Sequence, residues 1–256
     1  MVADNADAAQ EKGQRNVNSI GSIVTVTKRS RFSTIVGAIV GVTLLLISPA
    51  RADDEALDTW LDHQVGIETW AADVTQTRKL RALVKPLVAE GRVVFAQPKR
   101  FRWQLGDPPR TLAVGTPTGL TVAYPRLKQA ERYEYSDAVN PSLRQVLDLL
   151  EVGFPSSAEA FHARYELLST EQRETSWLFA LQPRDKNARR LLERVNIEVS
   201  AKDLGLLSTE FVFPDGSSMR NEFADAIANA PLDDELFVIE IGDDWEVEEP
   251  LAAQIQ

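Results

Sequence analysis

Residues 91–105 constrain the fold of this chain more than any other stretch. Val93 and Phe95, then Phe101, Trp103 and Leu105, fall on alternate positions, with Arg100, Arg102 and Gln104 between them. A period of two puts an apolar face on one side of a sheet and a polar face on the other. Pro98 stands at the connection, where a missing N–H and a fixed φ do least harm. The segment therefore reads as two antiparallel strands. A sheet carrying Phe95, Phe101 and Trp103 on one face must either cover that face or use it to hold something apolar.

The same reading extends along the chain. An amphipathic helix is expected from Glu55 to about Val74, on the spacing of Leu57, Trp60, Leu61 and Val65. Thr75-Gln76-Thr77 opens an extended segment, and Pro86 and Gly91 bracket a strand that feeds the 91–105 hairpin. Gly106-Asp107-Pro108-Pro109 is a turn, Leu112 and Val114 resume alternation, and Leu120, Val122 and Tyr124 share one face of the next strand. Asn140 as N-cap, Pro141 at the first helical position and Gly153 at the end frame a helix with the stripe Leu143, Val146, Leu147, Leu149 and Leu150. A short helix from Pro155 through His162 follows. Further strands are marked by Tyr165 and Leu167, by Trp177, Phe179 and Leu181, by Val195, Ile197 and Val199, and by Leu207, Thr209, Phe211 and Phe213. Asp215-Gly216 signals a hairpin into Met219–Phe223, a last strand is expected over Phe237–Ile241, and the acidic run Asp243–Glu249 reads as solvated. About ten short strands with about three helices cannot form βαβ units, so the strands are antiparallel. The expected class is α+β: an open antiparallel β-barrel with helices over its mouth. The 140–152 helix is the lid candidate.

Residues 1–52 read as an address. Lys28, Arg29 and Arg31 precede the apolar run Phe32–Ile47, and Ser48-Pro49-Ala50-Arg51-Ala52 supplies small residues for cleavage after Ala52. The run is shorter than the about 20 residues that span a bilayer comfortably. Residues 1–27 form a polar extension ahead of this signal peptide. Residues 53–256 are then a single domain, with no internal repeat and no linker. Of 28 basic and 38 acidic residues, the first 52 hold six and three, which leaves 22 against 35 and a net charge of −13. That balance disfavours nucleic acid and an anionic membrane surface as partners, although a local basic patch such as Lys99-Arg100-Arg102 can still exist. With no cysteine there is no disulfide, no thiolate nucleophile and no lipid-bearing cysteine after the leader. The reading is an exported, freely diffusing monomer, periplasmic in a Gram-negative cell.

Nothing in the sequence reads as a catalytic site. His63 and His162 are the two neutral-pH bases, one beside Asp62 and the other near Arg164. No nucleophile elbow, zinc-binding helix motif or phosphate loop occurs, and Asp53-Asp54, Asp233-Asp234 and Asp243-Asp244 read as solvated charge runs. No catalytic residue, metal or cofactor is expected.

Several motifs in order resemble the LolA-type outer-membrane lipoprotein carriers. They are Val74-Thr75-Gln76-Thr77, the Gly91–Trp103 block with Pro98, Phe101 and Trp103, Pro108-Pro109, Leu120 to Tyr124-Pro125, and Arg220-Asn221-Glu222-Phe223 followed by Asn229-Ala230-Pro231-Leu232 and Phe237. The resemblance covers about residues 55–240. It implies an incomplete (open) antiparallel β-barrel with an α-helical lid over a hydrophobic cavity, and a non-catalytic periplasmic chaperone that takes the acyl chains of lipoproteins from an ATP-driven inner-membrane lipoprotein-releasing ABC transporter to an outer-membrane receptor. On that implication Phe95, Phe101, Trp103 and Tyr124 bind lipid with the lid stripe Leu143, Val146, Leu147 and Leu150, and Trp177, Phe179, Phe211 and Phe213 extend the surface. Better-known members carry an arginine before the hairpin proline that ties the lid down; here the position is Gln97, with Lys99 or Arg100 as possible substitutes in lid control. Gln97 donates without charge assistance, so its bond is the weaker one. The alternative on the same scaffold is an accessory or sensor protein that binds another lipid or a membrane-anchored regulator.

Overall fold

A computed structural model describes residues 49–135 and 152–249, with side chains from Glu55 onward. Helix α1 (Pro49–Val65) leads into a twelve-stranded sheet of spatial order β12-β6-β5-β4-β3-β2-β1-β11-β10-β9-β8-β7. The first half holds β1 (Thr69–Lys79), β2 (Leu87–Ala96), β3 (Arg100–Leu105), β4 (Thr111–Gly115), β5 (Gly119–Tyr124) and β6 (Gln129–Glu134). The second half holds β7 (Tyr165–Gln172), β8 (Ser176–Pro183), β9 (Arg194–Ser200), β10 (Leu206–Val212) and β11 (Ser218–Ala228). Neighbours pair antiparallel throughout, apart from the short β12 (Glu246–Glu248), which runs parallel to β6. The edges β12 and β7 do not pair with each other among the described residues, so the sheet is open.

The predicted first helix is corrected. It ends at Val65 rather than near Val74, and Thr69–Lys79 is the central strand of the sheet, with partners on both sides. Gly66 closes the last helical turn, its N–H bonded to the carbonyl of His63. Beyond it Trp70, Ala72 and Val74 fall on one face at a period of two, and all three are buried. The two ladders and that burial override the weak helical periodicity.

The expected strand over Phe237–Ile241 is also corrected. Asp233 caps a 3₁₀ turn at Asp234–Phe237, and Val238 to Ile241 belongs to no strand. The carbonyls of Leu236 and Val238 accept from Arg102 of β3 instead. The acidic run is exposed in its side chains as expected, yet Glu246–Glu248 also adds an edge strand. The proposed lid helix and the leader lie outside the described residues, apart from Pro49–Ala52 at the start of α1.

Each face of the sheet is used twice. On the inner face of β7–β11, α1 lays Leu57, Trp60 and Leu61 onto Phe179, Leu181, Val195, Ile197 and Val199. The short helix α2 (Ala158–Arg164) adds Phe161, edge-on to Trp60 at 6.1 Å. Full burial of such a side chain contributes about 1.5–3 kcal/mol, so this is the main core. On the outer face of β1–β6, Val94, Ala96, Leu112, Val114, Ala123 and Ala130 pack under the C-terminal segment through Phe237, Leu236 and Trp245.

The outer face of β7–β11 is polar. Glu198, with 14% of its side chain exposed, accepts from Arg173 at 2.9 Å, Ser176 at 3.0 Å and Arg220 at 3.2 Å. Burial pushes its carboxyl up, and the bonds from Ser176, Arg220 and Arg173 more than offset that, so it is held below the usual carboxylate range.

Candidate functional site

The strand register builds an aromatic surface on the inner face of β1–β6. Phe95 stands opposite Phe101 and Val93 opposite Trp103 across β2–β3. Gly91 is needed here, because a Cβ would lie 1.8 Å from the backbone oxygen of Gln104. Phe101 faces Gly115 of β4, and its ring occupies the place of the missing side chain: a Cβ there would lie 2.0 Å from a ring carbon. Leu120 and Tyr133 continue the same face onto β5 and β6.

Phe101 is buried, while Phe95, Trp103 and Tyr124 are half-buried. Phe154, just after Gly153, stacks on Phe95 with centroids 4.3 Å apart and leans on Trp70 at 5.0 Å. Phe223 of β11 meets Trp70 at 5.2 Å and Trp103 at 6.3 Å, edge-on to both. Sequence reading missed Trp70 by calling it helical. Phe154 carried no signal except its place after a helix-ending glycine.

Polar groups interrupt this surface at defined points. Asn221, 2% exposed, donates to Thr209 Oγ1 at 3.1 Å and accepts from Gln76 Nε2 at 3.0 Å. The indole N–H of Trp103 is buried without a hydrogen-bond partner among the described residues, as are, on α1, the indole N–H of Trp60 and both amide atoms of Gln64. Unsatisfied buried donors are rare in folded proteins, and they fit a site that ordered water or a ligand oxygen completes. At the β5–β6 end, Tyr133 donates to Glu131, and burial followed by the Glu131 charge pushes the Tyr124 hydroxyl above its ordinary pKa.

The remaining predicted residues divide. Phe179 and Phe211 are fully buried beneath α1, and Trp177 and Phe213 pack half-buried at the margin of the same cluster. Leu143, Val146, Leu147 and Leu150 lie outside the described residues. Gln97 donates from Nε2 to the carbonyl of Ile67 at 3.0 Å, and its backbone N–H bonds to the carbonyl of Glu68 at 2.8 Å. Asn229 reaches the same turn: its Oδ1 accepts from Glu68 N–H at 2.8 Å, and its own N–H bonds to the carbonyl of Thr69 at 2.7 Å. The motif residues Gln97 and Asn229 thus converge on the α1–β1 junction.

Arg100 lies on the outer face. It donates to Asp234 at 2.6 Å and sits 4.6 Å over the Phe237 ring. With Arg102, whose guanidinium pKa is lowered by burial, it holds the C-terminal segment against the sheet. A groove of about 790 Å³ runs beneath that segment, between Arg92, Arg102 and Leu112 on the sheet and Leu236, Val238 and Trp245.

Of the two histidines, His162 pairs with Asp58 at 2.6 Å on the surface and His63 is exposed at the end of α1. Among the described residues no cluster of three His, Cys, Asp or Glu side chains is placed to hold a metal ion.

Residues 65–240 match the family model described as outer membrane lipoprotein carrier protein LolA, and the chain belongs to that family. Several solved structures are similar to this chain at low identity. An uncharacterized conserved protein from Thermus thermophilus is 14% identical over 77% of this chain and 98% of its own, with a TM-score of 0.45. A LolA superfamily protein from Nitrosomonas europaea is 13% identical over 73% of this chain and 98% of its own, at 0.38. The MucA/MucB complex of Pseudomonas aeruginosa is matched at 13% identity over 70% of this chain and 58% of that one, also at 0.38. No curated protein matches the chain.

Proposed function

We propose that this protein is a periplasmic carrier of acyl chains, taking lipoproteins from an inner-membrane releasing transporter to an outer-membrane receptor without catalysing a reaction. One observation carries the reading: in a LolA-family chain, the inner face of β1–β6 presents Phe95, Phe101, Trp103 and Tyr124 together, three of them half-buried. Each methylene hidden from water is worth roughly 0.8 kcal/mol, so acyl chains need such a surface to cross an aqueous space. The Trp103 N–H, without a partner among the described residues, supplies a donor for an ester carbonyl beside those chains. The leucine stripe at residues 143–150 is the proposed cover, and residues 1–52 the proposed export signal of a single carrier domain.

The test is release of labelled lipoproteins from spheroplasts that contain the transporter of the same species. A soluble one-to-one complex is expected with the wild type and none with Phe101→Glu, which puts a charge on the aromatic face. Release by Phe101→Glu at the wild-type level would remove the site. No release by folded wild-type protein that still binds a fluorescent fatty acid would move the assignment to another lipid, as in an accessory or sensor protein.

A further inference from the structure

The β1–β2 hairpin ends in a tip that the carrier reading does not use. β2 pairs with β3 from Gly91 onward and the Glu90 carbonyl still accepts from Gly106 N–H, so Leu87–Ala89 overshoots β3 by three residues, roughly 10 Å at 3.3 Å per residue. On the other side β11 accompanies β1 as far as Lys79, opposite Ser218. Beyond these points a turn closed by the Leu83 N–H on the Leu80 carbonyl carries the chain around.

The tip is apolar where it projects. Val84 is 101% exposed, Val88 56%, and Leu83 and Leu87 nearly half. It is also basic: Arg78, Lys79, Arg81 and Lys85 occur with no acidic residue between positions 74 and 89, in a chain whose net charge is −10. Arg78, Lys79, Arg81 and Lys85 form no ion pair among the described residues.

Leu87 and Val88 point to opposite faces of the ribbon, because successive strand residues alternate. A flat protein surface covers one face of such a ribbon and leaves the other wet. The interfacial zone of a bilayer surrounds it, and the four cations match an anionic leaflet. We infer that the Arg78–Val88 tip is a membrane-docking element that inserts Leu83, Val84 and their neighbours into an anionic lipid surface. Two apolar side chains bury less than one acyl chain, so even with the polybasic signal attachment stays reversible, which a diffusing protein needs. The acidic body opposes flat adsorption, so contact is confined to the tip.

The experiment is flotation with phosphatidylglycerol and with phosphatidylcholine vesicles, using the chain as recovered from its own cells. Comparison is made with variants that differ only at the tip. The wild type should bind phosphatidylglycerol vesicles, release at high salt and ignore phosphatidylcholine. Leu83→Asp with Val84→Asp should weaken binding by at least about tenfold, and Arg81→Ser with Lys85→Ser should weaken it and flatten the salt dependence. All four positions are exposed, so circular dichroism should be unchanged. Equal flotation of wild type and tip variants would overturn the inference, as would absence of wild-type binding at low salt, which would leave the tip to a protein partner.

Discussion

The inner faces of β1–β6 and β7–β11 belong to one sheet and carry the same alternation of large apolar residues, yet they are covered differently. Over β7–β11, α1 and α2 seal Phe179, Leu181, Val195, Ile197 and Val199 to complete burial. Over β1–β6, Phe95, Trp103 and Leu105 remain half-buried, and the described covering is Phe154 with Phe223 from the neighbouring strand. The outer faces reverse the pattern: β7–β11 is polar around Glu198, while β1–β6 is apolar beneath the C-terminal segment. Alternation establishes that a face is apolar. What covers that face decides whether its burial energy is already used in folding or is available to a ligand.

The largest expected effect tests that division directly. Phe179→Ala should destabilise the protein by about 3–5 kcal/mol, read from urea unfolding, because the cavity it leaves is closed on all sides by α1 and its neighbours. Its affinity for a fluorescent fatty acid should change little. Phe95→Ala should do the opposite, with a stability loss under about 2 kcal/mol and a clear loss of probe affinity. If both variants lost stability equally and bound the probe alike, the two halves would not differ in the way described.

Glu198→Gln tests the outer face and should have a smaller effect, about 1–2 kcal/mol at neutral pH, from weaker bonds to Arg173, Ser176 and Arg220. The sign follows from the depressed carboxyl. Its folded-state pKa lies below its unfolded value, so its contribution is present at neutral pH. That contribution fades as pH falls from the ordinary carboxylate range toward the folded value. Urea midpoints measured down the acid limb should be steeper in the wild type than in Glu198→Gln. Parallel limbs would mean that the network is no more than exposed surface pairs.

The inner aromatic face was legible in the sequence because Phe95, Phe101 and Trp103 alternate around an unmistakable turn. The covering was not. Leu112 and Val114 alternate just as clearly, yet they face outward beneath Phe237, and nothing local distinguishes the two sides of a sheet that is apolar on both. β6 escaped notice because Ala130 is its one buried residue among polar neighbours, and its identity as a strand comes from pairing with β5. The end of α1 was misplaced for a related reason: Trp70 and Val74 suit either period, and only the two flanking strands decide between them. Gln97 was singled out for what it lacks, a charge. Its partner proved to be the carbonyl of Ile67, a backbone group that no sequence pattern marks.

That bond gives the smallest and most diagnostic effect. Gln97→Ala removes one neutral hydrogen bond while the backbone bond from residue 97 to Glu68 persists, so the loss should be about 1 kcal/mol. The bond joins the turn of the open half to the junction through which α1 enters the sheet, and α1 is what seals the other half. Asn229 grips the same junction from β11, which should limit the damage. If the junction transmits strain between the halves, Gln97→Ala combined with Phe179→Ala should destabilise by less than the sum of the single changes, because a loosened α1 can settle into the cavity. Strict additivity would mean that the two inner surfaces are energetically independent and share only a sheet.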